Sequence, residues 1–386
     1  MLYFDNNAST RPDPKVIEAV AQSMAMLPGN PSSSHEPGRC ALDEIESARS
    51  RVASALGANA REIVFTSGAT ESNNLALGGV ARAAAQSPAA TEKRRRVLVG
   101  ATEHPSVLAA AAALRFHGFD VGYIPVDQDG LHDLGFLEET VDDGVLLVSV
   151  MMANNETGVL SELAPIARCA KEAGAILHCD ATQAVGRVPV SFADLGVDLM
   201  SLSGHKFHGP KGVGALIVRR GLQLVPAQYG GSHERALRAG TLNTPGIVGL
   251  GVAADAVSEW LEDAPNLSVL RDRLVRCLIE AIPDARLVAA GAPRLPNTAN
   301  MWFPGADGEA VLAGMPMVAA STGAACAAGT PEPSHVLRAM NMGARAASEC
   351  IRFSLSIDTT QEEVARLAAL TEGSVRNVRQ LSGDEA

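Results

Sequence analysis

The sequence contains little that would suit a membrane or a nucleic acid as a direct partner. It has no run of about 18 uninterrupted apolar residues, the length that a transmembrane helix needs. Its first residues, MLYFDNNASTRPDP, lack the basic and then apolar segments of a secretory signal. The formal net charge of −11 argues against a broad phosphate-binding face. We therefore expect a cytoplasmic protein that neither enters a membrane nor binds nucleic acid directly.

Closely spaced cysteine pairs are also missing. The chain has no Cys-x-x-Cys pair, which excludes a thioredoxin-like motif and a zinc ribbon, so we predict no metal site. A disulfide framework is not expected in a cytosolic chain of 386 residues. Most of the cysteines should be small buried hydrophobic side chains, with one in a different role. The six are Cys40, Cys169, Cys179, Cys277, Cys326 and Cys350.

Lysine is scarce, with five in 386 residues. Three of them, Lys15, Lys93 and Lys171, lie in polar segments that are typical of solvated helix faces or loops. The other two, Lys206 and Lys211, lie in SGHKFHGPKGVG, between two apolar runs that resemble strands. This placement indicates that one of the two amines has a chemical role.

Short β-branched runs alternate with longer helical patterns from about residue 60 to residue 220, for example IVFTS with ESNNLALGGVARAAA. This alternation predicts an α/β fold with a mostly parallel sheet that helices cover on both faces. Ligands of such sheets bind beyond the carboxyl ends of the strands. We therefore expect the strand ends at 66–70, 101–104, 151–155, 179–183 and 201–206 to converge.

The pattern changes beyond residue 220, where a long helical stretch leads into a smaller α+β segment. Strands of this segment are predicted near 287–303, 317–320 and 350–355. We predict an N-terminal arm, residues 1–15, that packs on the small domain. A large domain, residues 16–250, and a small C-terminal domain, residues 251–386, complete the chain.

Four side chains at the predicted strand ends suit pyridoxal 5'-phosphate together. Thr70 lies in a small turn before a predicted helix, and such a helix start can bind a phosphate group. His104 could stack on a ring or transfer a proton, and Asp180 could pair with a protonated ring nitrogen. Lys206 could form an imine, because burial and cationic neighbours lower the pKa of a lysine amine. Each feature is weak alone, but pyridoxal phosphate would satisfy all four.

Nine segments of the chain, from about residue 3 to residue 370, resemble the class V, fold type I pyridoxal phosphate enzymes, specifically the cysteine desulfurases. The large domain would then bind the cofactor, and the small domain would carry the catalytic cysteine. The segments are YFDNNAST, GNPSSSHEPGR, FTSGATESNN, ATEHPSVL, NNETG, HCDATQAVG, SLSGHKFHGPKGVGAL, RAGTLNTPGIVG and STGAACAAGTPEPSHVLRAM.

The resemblance implies that Lys206 forms the imine and that Lys211 is a neighbouring structural lysine. It implies that His104 stacks on the cofactor ring and acts as a catalytic acid or base. Asn155 and Arg352 would hold the substrate carboxylate, for which arginine suits bidentate binding. The further implied contacts are Ala69, Thr70, Ser203 and His205 near the phosphate, Asp180 at the ring nitrogen, Gln183 at the phenolic oxygen, and Thr241 at the phosphate of the other subunit of a homodimer.

The resemblance gives the role of sulfur acceptor to Cys326, in STGAACAAGTPEPSHVL. The enzyme would convert L-cysteine to L-alanine and pass the sulfur, as a persulfide on Cys326, to an acceptor such as a scaffold or carrier protein. Cys350 lies in an apolar strand and Cys179 lies beside Asp180, and both are expected to fill the core. Cys40, Cys169 and Cys277 are expected to pack on helical faces.

The segment around Cys326 departs from the family in one respect. Many members have serines there, whereas this chain has Ala324, Ala325, Ala327 and Ala328. Alanine favours helix or ordered packing more than a serine- and glycine-rich loop does. The segment's length still resembles the desulfurases with a longer catalytic loop, rather than those that depend on a dedicated sulfur-accepting activator.

Three alternatives stay open. The first is another pyridoxal phosphate reaction on this fold, such as transamination or selenocysteine lyase activity, although Cys326 argues against simple transamination. The second is a non-enzymatic sulfur-transfer scaffold, against which Lys206, Asp180, His104 and Cys326 argue together. The third concerns the destination of the sulfur, which could be iron–sulfur cluster assembly, tRNA thiolation or sulfur modification of DNA.

Overall fold

A seven-stranded sheet, in the order β2-β8-β7-β6-β5-β3-β4, forms the centre of the computed structural model, which describes residues 1–86, 93–323 and 333–383. β8 runs antiparallel to β2 and β7, and the other neighbouring strands are parallel. The mostly parallel sheet is therefore confirmed. Its strands are β2 (Ile63–Thr66), β3 (Arg96–Gly100), β4 (Asp120–Ile124), β5 (Val145–Met151), β6 (Ile176–Asp180), β7 (Leu199–Ser203) and β8 (Gly214–Val218).

Helices cover both faces of this sheet, as predicted. Successive residues of a strand face opposite sides, so Phe65 packs in one core cluster with Ile45 of α2 while its neighbour Val64 packs in another with Leu77 of α3. The helices around the sheet are α1 (Pro14–Met26), α2 (Glu36–Ala55), α3 (Ala69–Ala85), α4 (Pro105–Leu114), α5 (Leu134–Thr140), α6 (Leu163–Ala173), α7 (Phe192–Leu195) and α8 (Thr244–Asp255).

A second core lies around a three-stranded antiparallel sheet, in which β10 (Thr298–Trp302) pairs with β9 (Arg286–Leu287) and β12 (Cys350–Ser354). The N-terminal strand β1 (Leu2–Tyr3) pairs in parallel with β11 (Val318–Ala319), and Phe4 packs in this second core. The remaining helices are α9 (Val257–Ala281), α10 (Gly308–Ala313), α11 (His335–Ala339), α12 (Ala344–Ser348) and α13 (Gln361–Ser382).

The long helical stretch predicted after residue 243 consists of two helices, α8 and α9, that meet at Ala256. Trp260, near the start of α9, packs in the core of the large sheet. Leu267 and Leu274, further along the same helix, pack in the second core. The helix α9 therefore contributes its first part to the core of the large sheet and its later part to the second core. The predicted domain limits stay a prediction.

The last helix, α13, begins at a capping box. Thr360 Oγ1 accepts a hydrogen bond from Glu363 N at 3.2 Å, and Glu363 Oε2 accepts one from Thr360 N at 2.9 Å. Two backbone N–H groups at the helix start are thereby satisfied. Among the helices in the described part of the chain, none has both the length and the apolar character to cross a membrane.

A buried ion pair holds the loop after residue 231 against the sheet. Arg49 Nη1 and Nη2 donate to the two carboxylate oxygens of Glu234 at 2.9 and 2.6 Å, and Phe65 N donates to the same carboxylate at 2.7 Å. Glu234 and Arg235 have backbone φ values of 45° and 56°, which residues other than glycine rarely adopt. The charge-assisted contacts of Glu234 therefore stabilise a strained backbone.

Glu234→Ala is expected to lower the free energy of unfolding by about 3 kcal/mol, because it leaves Nη1 and Nη2 of the buried Arg49 without their carboxylate. Urea unfolding measures this difference. Glu46→Ala is the matched control: Glu46 Oε1 accepts from Arg49 Nε at 3.0 Å, but its side chain is 54% exposed. The control should cost less than about 1 kcal/mol. Equal losses in the two variants would contradict the assignment.

Candidate active site

Side chains from neighbouring strand ends meet at one edge of the large sheet. Asn73 Nδ2, in the first turns of α3, donates to Asp180 Oδ2 at 2.8 Å and to Ser106 Oγ at 2.9 Å. Met151 N, at the end of β5, donates to Glu103 Oε1, which follows β3. These contacts link the ends of β3, β5 and β6 with the start of α3. The predicted convergence of strand ends is therefore confirmed.

Asp180 is a buried carboxylate that the described residues leave without a cation. It is 5% exposed, and its oxygens accept from Asn73 Nδ2 and from Thr182 N at 3.0 Å. None of the ion pairs in the described part of the chain includes it. Thr182 Oγ1 beside it is also buried without a hydrogen-bond partner there. A protonated ring nitrogen would supply the missing positive charge, so this position fits pyridoxal phosphate.

His104 forms the N-cap of α4 and faces the same edge. Its Nδ1 accepts a hydrogen bond from Ser106 N at 3.1 Å. Burial lowers the pKa of His104, the Lys206 and His335 charges lower it further, and Asp180 opposes them. The ring is therefore neutral at pH 7, with its proton on Nε2 because Nδ1 is the acceptor. His104 can accordingly donate a hydrogen bond through Nε2.

The start of α3 has the features of a phosphate site. Its N-cap residue is Gly68, with φ 148° and no side-chain cap, and Ala69 and Thr70 follow in the first turn. A Cβ on Gly68 would lie 3.3 Å from Ser203 Oγ, so the end of β7 approaches this turn closely. Free N–H groups at a helix N-terminus, beside two hydroxyl groups, suit a phosphate.

His205 follows Ser203 and lies against the N-terminal arm. Its Nδ1 is 3.3 Å from Ser9 Oγ, and its backbone carbonyl accepts from Thr10 N at 2.9 Å. Burial, followed by the charges of Lys206, Lys211 and Arg187, lowers its pKa to about 4. His205 is thus uncharged at neutral pH, and it would offer a phosphate a hydrogen bond without a charge.

Lys206 and Gln183 both donate to the backbone of the N-terminal arm. Lys206 Nζ lies 2.6 Å from Asn7 O and 2.9 Å from Ala8 O, and Gln183 Nε2 lies 2.8 Å from Asn7 O. Lys206 is half-buried, whereas Lys211 is exposed to solvent. Of the two lysines in this segment, Lys206 is therefore the one placed at the site.

Arg352 and Asn155, the pair predicted to hold a carboxylate, are in contact. Arg352 Nη1 donates to Asn155 O at 3.0 Å, and Arg352 Nη2 donates to Asp5 Oδ1 at 2.6 Å. Arg352 Nε is buried without a hydrogen-bond partner among the described residues. The guanidinium thus retains at Nε a hydrogen-bonding capacity that the described residues do not use and that a carboxylate would satisfy.

Two predicted site residues are not brought to this edge by the described chain. Thr241 is exposed in the loop before α8. Its predicted contact with the phosphate of a second subunit stays a prediction. Cys326 lies outside the described residues, together with Ala324, Ala325, Ala327 and Ala328.

The described cysteines differ in their environments. Burial raises the pKa of Cys179 well above its ordinary value and that of Cys350 to about 12, with Asp180 and Glu349 adding to the respective shifts. Both thiols are therefore protonated at neutral pH and poor nucleophiles. Cys40 is exposed on the solvent face of α2, so the expectation that it packs against the core is wrong. Cys169 and Cys277 are half-buried on their helices.

Three supporting residues were not singled out from the sequence: Asn7, Asn73 and Arg187. Asn73 lies three residues after Thr70, and this spacing indicates that both side chains lie on the same face of the helix. Arg187 lies four residues after Gln183 and donates to its Oε1, which fixes the orientation of the Gln183 amide. Asn7 gave no local signal, because its contacts with Gln183 and Lys206 span 176 and 199 residues.

Comparison with known proteins agrees with this arrangement. The family model for class V aminotransferases matches residues 2–367. A cysteine desulfurase of Frankia sp. (strain EuIK1) is 46% identical over 395 residues, covering 99% of this chain and 93% of the relative. A solved NifS-like protein is 37% identical with a TM-score of 0.89, covering 97% and 99% of the two chains. The solved structure described as SspA in complex with cysteine is 34% identical, with a TM-score of 0.81 and coverage of 92% and 99%.

The resonances of the His205 ring are expected to stay unchanged between pH 7.5 and 5.5 and to titrate near pH 4, as followed by NMR of ring-labelled histidine. Because the folded pKa is about 4 against 6.5, the unfolded chain binds more protons between these values. The contribution of His205 to stability is thus complete above pH 6.5 and is lost as the pH falls toward 4. Titration near pH 6.5 would contradict the burial argument.

Proposed function

We propose that the chain is a cysteine desulfurase. It belongs to the class V aminotransferase family of pyridoxal phosphate-dependent enzymes. It converts L-cysteine to L-alanine and takes the sulfur onto Cys326 as a persulfide. The similarity to enzymes named cysteine desulfurase over almost the whole chain supports the activity. The buried carboxylate of Asp180, for which the described residues supply no cation, lies at the strand edge that also holds Lys206, and this observation carries the cofactor assignment.

The residues at this edge would hold the cofactor by complementary chemistry. Asp180 would pair with the ring nitrogen, His104 would lie against the ring, and Gln183 would reach the phenolic oxygen. Bound there, pyridoxal phosphate supplies an electron sink that acidifies the Cα–H of a bound amino acid. The phosphate would bind the N-terminus of α3 and the residues that face it, which are Ala69, Thr70, Ser203 and His205, with Thr241 of a second subunit.

Substrate binding would use Arg352 and the neighbouring Asn155. The unpartnered Nε of Arg352 offers a hydrogen bond to the carboxylate of L-cysteine. Asp5 already engages Nη2 at 2.6 Å and offsets part of the positive charge. This arrangement favours a single zwitterionic amino acid over a dianionic one.

The proton and sulfur transfers would be carried out by three side chains. The amine of Lys206 accepts the proton from the substrate Cα. The thiolate of Cys326 attacks the substrate sulfur; the carbon–sulfur bond breaks, and its electron pair remains on the substrate carbon. The proton that Cys326 loses on forming its thiolate, carried by His104, would complete the methyl group of alanine, and Lys206 would return its proton to Cα. One cysteine and one thiol thus give one alanine and one persulfide.

The assembly and the sulfur acceptor extend the proposal. The chain would be a cytoplasmic homodimer, since Thr241 is predicted to complete the phosphate site of the other subunit. The acidic surface, with a net charge of −11, favours delivery of sulfur through a protein scaffold or carrier rather than directly to nucleic acid. That carrier could serve iron–sulfur cluster assembly or thio-modification of nucleic acid.

Lys206→Ala is expected to abolish the visible absorbance of covalently held cofactor, because no other amine replaces it at the strand edge. Absorbance spectra after purification and reconstitution with pyridoxal phosphate measure this loss. Lys211→Ala is the matched control, since that lysine is exposed a few residues away. The control should keep its absorbance, and loss of absorbance in Lys211→Ala alone would reverse the assignment.

Cys326→Ala should keep the cofactor absorbance but release sulfide from L-cysteine, in the presence of a thiol reductant, at least about a hundredfold more slowly. The reason is that the variant lacks the nucleophile that takes the sulfur. Cys40→Ala, which removes an exposed thiol, serves as the control and should stay within about twofold of the parent enzyme. Full turnover by Cys326→Ala would move the persulfide to another cysteine, with Cys179 the next candidate.

A further inference from the structure

The buried carboxylate of Glu156 contacts both ends of the segment that contains Cys326. This residue is 4% exposed and lies in the turn after β5, next to Asn155. On one side Ser334 Oγ donates a hydrogen bond to Glu156 Oε2. On the other side, a Cβ on Gly323 would lie only 2.6 Å from the same oxygen. Residues 324–332 lie outside the described residues, and Glu156 contacts Gly323 before them and Ser334 after them.

The flank after the segment is fixed at two neighbouring residues. Ser334 Oγ also accepts from Leu337 N at 3.2 Å, so the serine that bonds Glu156 also caps α11. His335 Nε2 lies 2.9 Å from the backbone carbonyl of Glu103, at the strand edge that holds Asp180. The start of α11 is thereby attached to the site at Glu156 and at Glu103.

The flank before the segment is attached to the predicted carboxylate-binding arginine. Ser321 and Arg352 exchange backbone hydrogen bonds of 2.6 and 3.3 Å. Ser321 Oγ then accepts from Gly323 N at 3.2 Å. Gly323 has φ 81°, and the space for its Cβ is taken by the Glu156 carboxylate. Only glycine fits this close approach without displacing one of the two.

The turn that carries Glu156 is itself held from both sides. Asn154 Oδ1 accepts from Glu156 N and Thr157 N, both at 2.9 Å. Asn300 Nδ2, on β10 of the second core, donates to Glu156 O at 3.2 Å. The neighbouring Asn155 O accepts from Arg352 Nη1 at 3.0 Å. A shift of the Glu156 carboxylate would therefore require a shift of the predicted substrate-binding turn.

We propose that Glu156 is a positioning residue for sulfur transfer. Through its hydrogen bond to Ser334 and its close contact with Gly323, it sets the separation of the two flanks of the Cys326 segment. Because the turn of Glu156 also carries Asn155, whose carbonyl accepts from Arg352, Glu156 holds the two flanks at a fixed position relative to the predicted substrate-binding residues. Burial raises the pKa of Glu156, while Ser334, His335 and Arg352 oppose the shift. The proposal rests on the proposed function, because it assumes that Cys326 receives the sulfur.

Glu156→Ala in the cofactor-loaded enzyme should slow the formation of persulfide on Cys326 in a single turnover by at least about tenfold, since small displacements of a nucleophile cost such factors. Cofactor content and the dissociation constant for L-alanine should stay within about threefold. Rapid quench with peptide mass spectrometry measures the persulfide, and spectral titration measures L-alanine binding.

Two further variants separate positioning from general damage. Glu156→Gln keeps an oxygen that can accept from Ser334, so it should recover most of the rate. Glu349→Gln is the matched control, because Glu349 is also a buried carboxylate and accepts from Trp302 Nε1 at 2.9 Å and from Arg345 Nε at 3.0 Å, neither of which belongs to these flanks. It should leave the persulfide rate within about twofold of the parent enzyme.

Hydrogen exchange provides a readout that needs no activity. In Glu156→Ala, peptides covering 321–323 and 334–337 should exchange at least about tenfold faster, while β5 and β6 stay unchanged. Ser334→Ala should slow persulfide formation as well. The double variant, Glu156→Ala with Ser334→Ala, should be no slower than the slower single variant, because each substitution removes the same hydrogen bond between Ser334 and Glu156.

The outcomes distinguish the two proposals. If the parent enzyme forms the persulfide on Cys326 and Glu156→Ala forms it equally fast, the positioning role is overturned and the desulfurase proposal stands. Additive losses in the double variant, or flanks with parent-like exchange in Glu156→Ala, overturn the positioning role too. If the parent enzyme forms no persulfide on Cys326 while the exchange result holds, the assignment of the sulfur acceptor fails, and the role of Glu156 in sulfur transfer fails with it.

Discussion

The backbone carbonyl of Asn7 is the acceptor on which the rest of the site depends. It receives hydrogen bonds from Gln183 Nε2 at 2.8 Å and from Lys206 Nζ at 2.6 Å, and the preceding carbonyl of Asn6 receives one from Arg187 Nη2 at 3.2 Å. The arm that carries these carbonyls is fixed in turn by the second core, where β1 pairs with β11 and Asn7 N donates to Ser354 Oγ at 2.9 Å. The position of the Lys206 amine, the proposed imine-forming group, is therefore set by both cores together, and no side-chain substitution at residue 7 removes the acceptor itself.

Burial has a different consequence for each ionisable group at the strand edge. It raises the pKa of Glu103 well above the ordinary range, with Asp180 as the second cause, which favours the uncharged form of Glu103 beside Asp180. It lowers the pKa of His104 and of His205, so both rings are neutral. The edge thus combines one carboxylate, neutral imidazoles and a lysine amine. This combination suits a cofactor with a cationic ring nitrogen and an anionic phosphate better than it suits a metal ion.

Local patterns in the sequence predict most of the fold and part of the site. The alternation of strands and helices predicts the covered parallel sheet, and the parallel sheet in turn places Asp180, His104 and Lys206 at one edge. The same patterns do not show that β8 is reversed, because a reversed strand has the same alternation of buried residues. They do not show the change of helix at Ala256, where both sides are helical and apolar. The contacts of Asn7 and Glu156 lie beyond local reasoning, since Lys206 is 199 positions from Asn7 and Ser334 is 178 positions from Glu156.

In the proposed reaction, sulfur leaves L-cysteine as a persulfide on Cys326 while the carbon skeleton leaves as alanine. The most direct test is mass spectrometry of peptides from the cofactor-loaded enzyme after brief treatment with L-cysteine, with alanine assayed in the same sample. We predict one additional, reducible sulfur atom on the Cys326 peptide and alanine in equal amount. Alanine without the adduct would overturn the assignment of the sulfur acceptor, and the absence of both products would contradict desulfuration of cysteine by this chain.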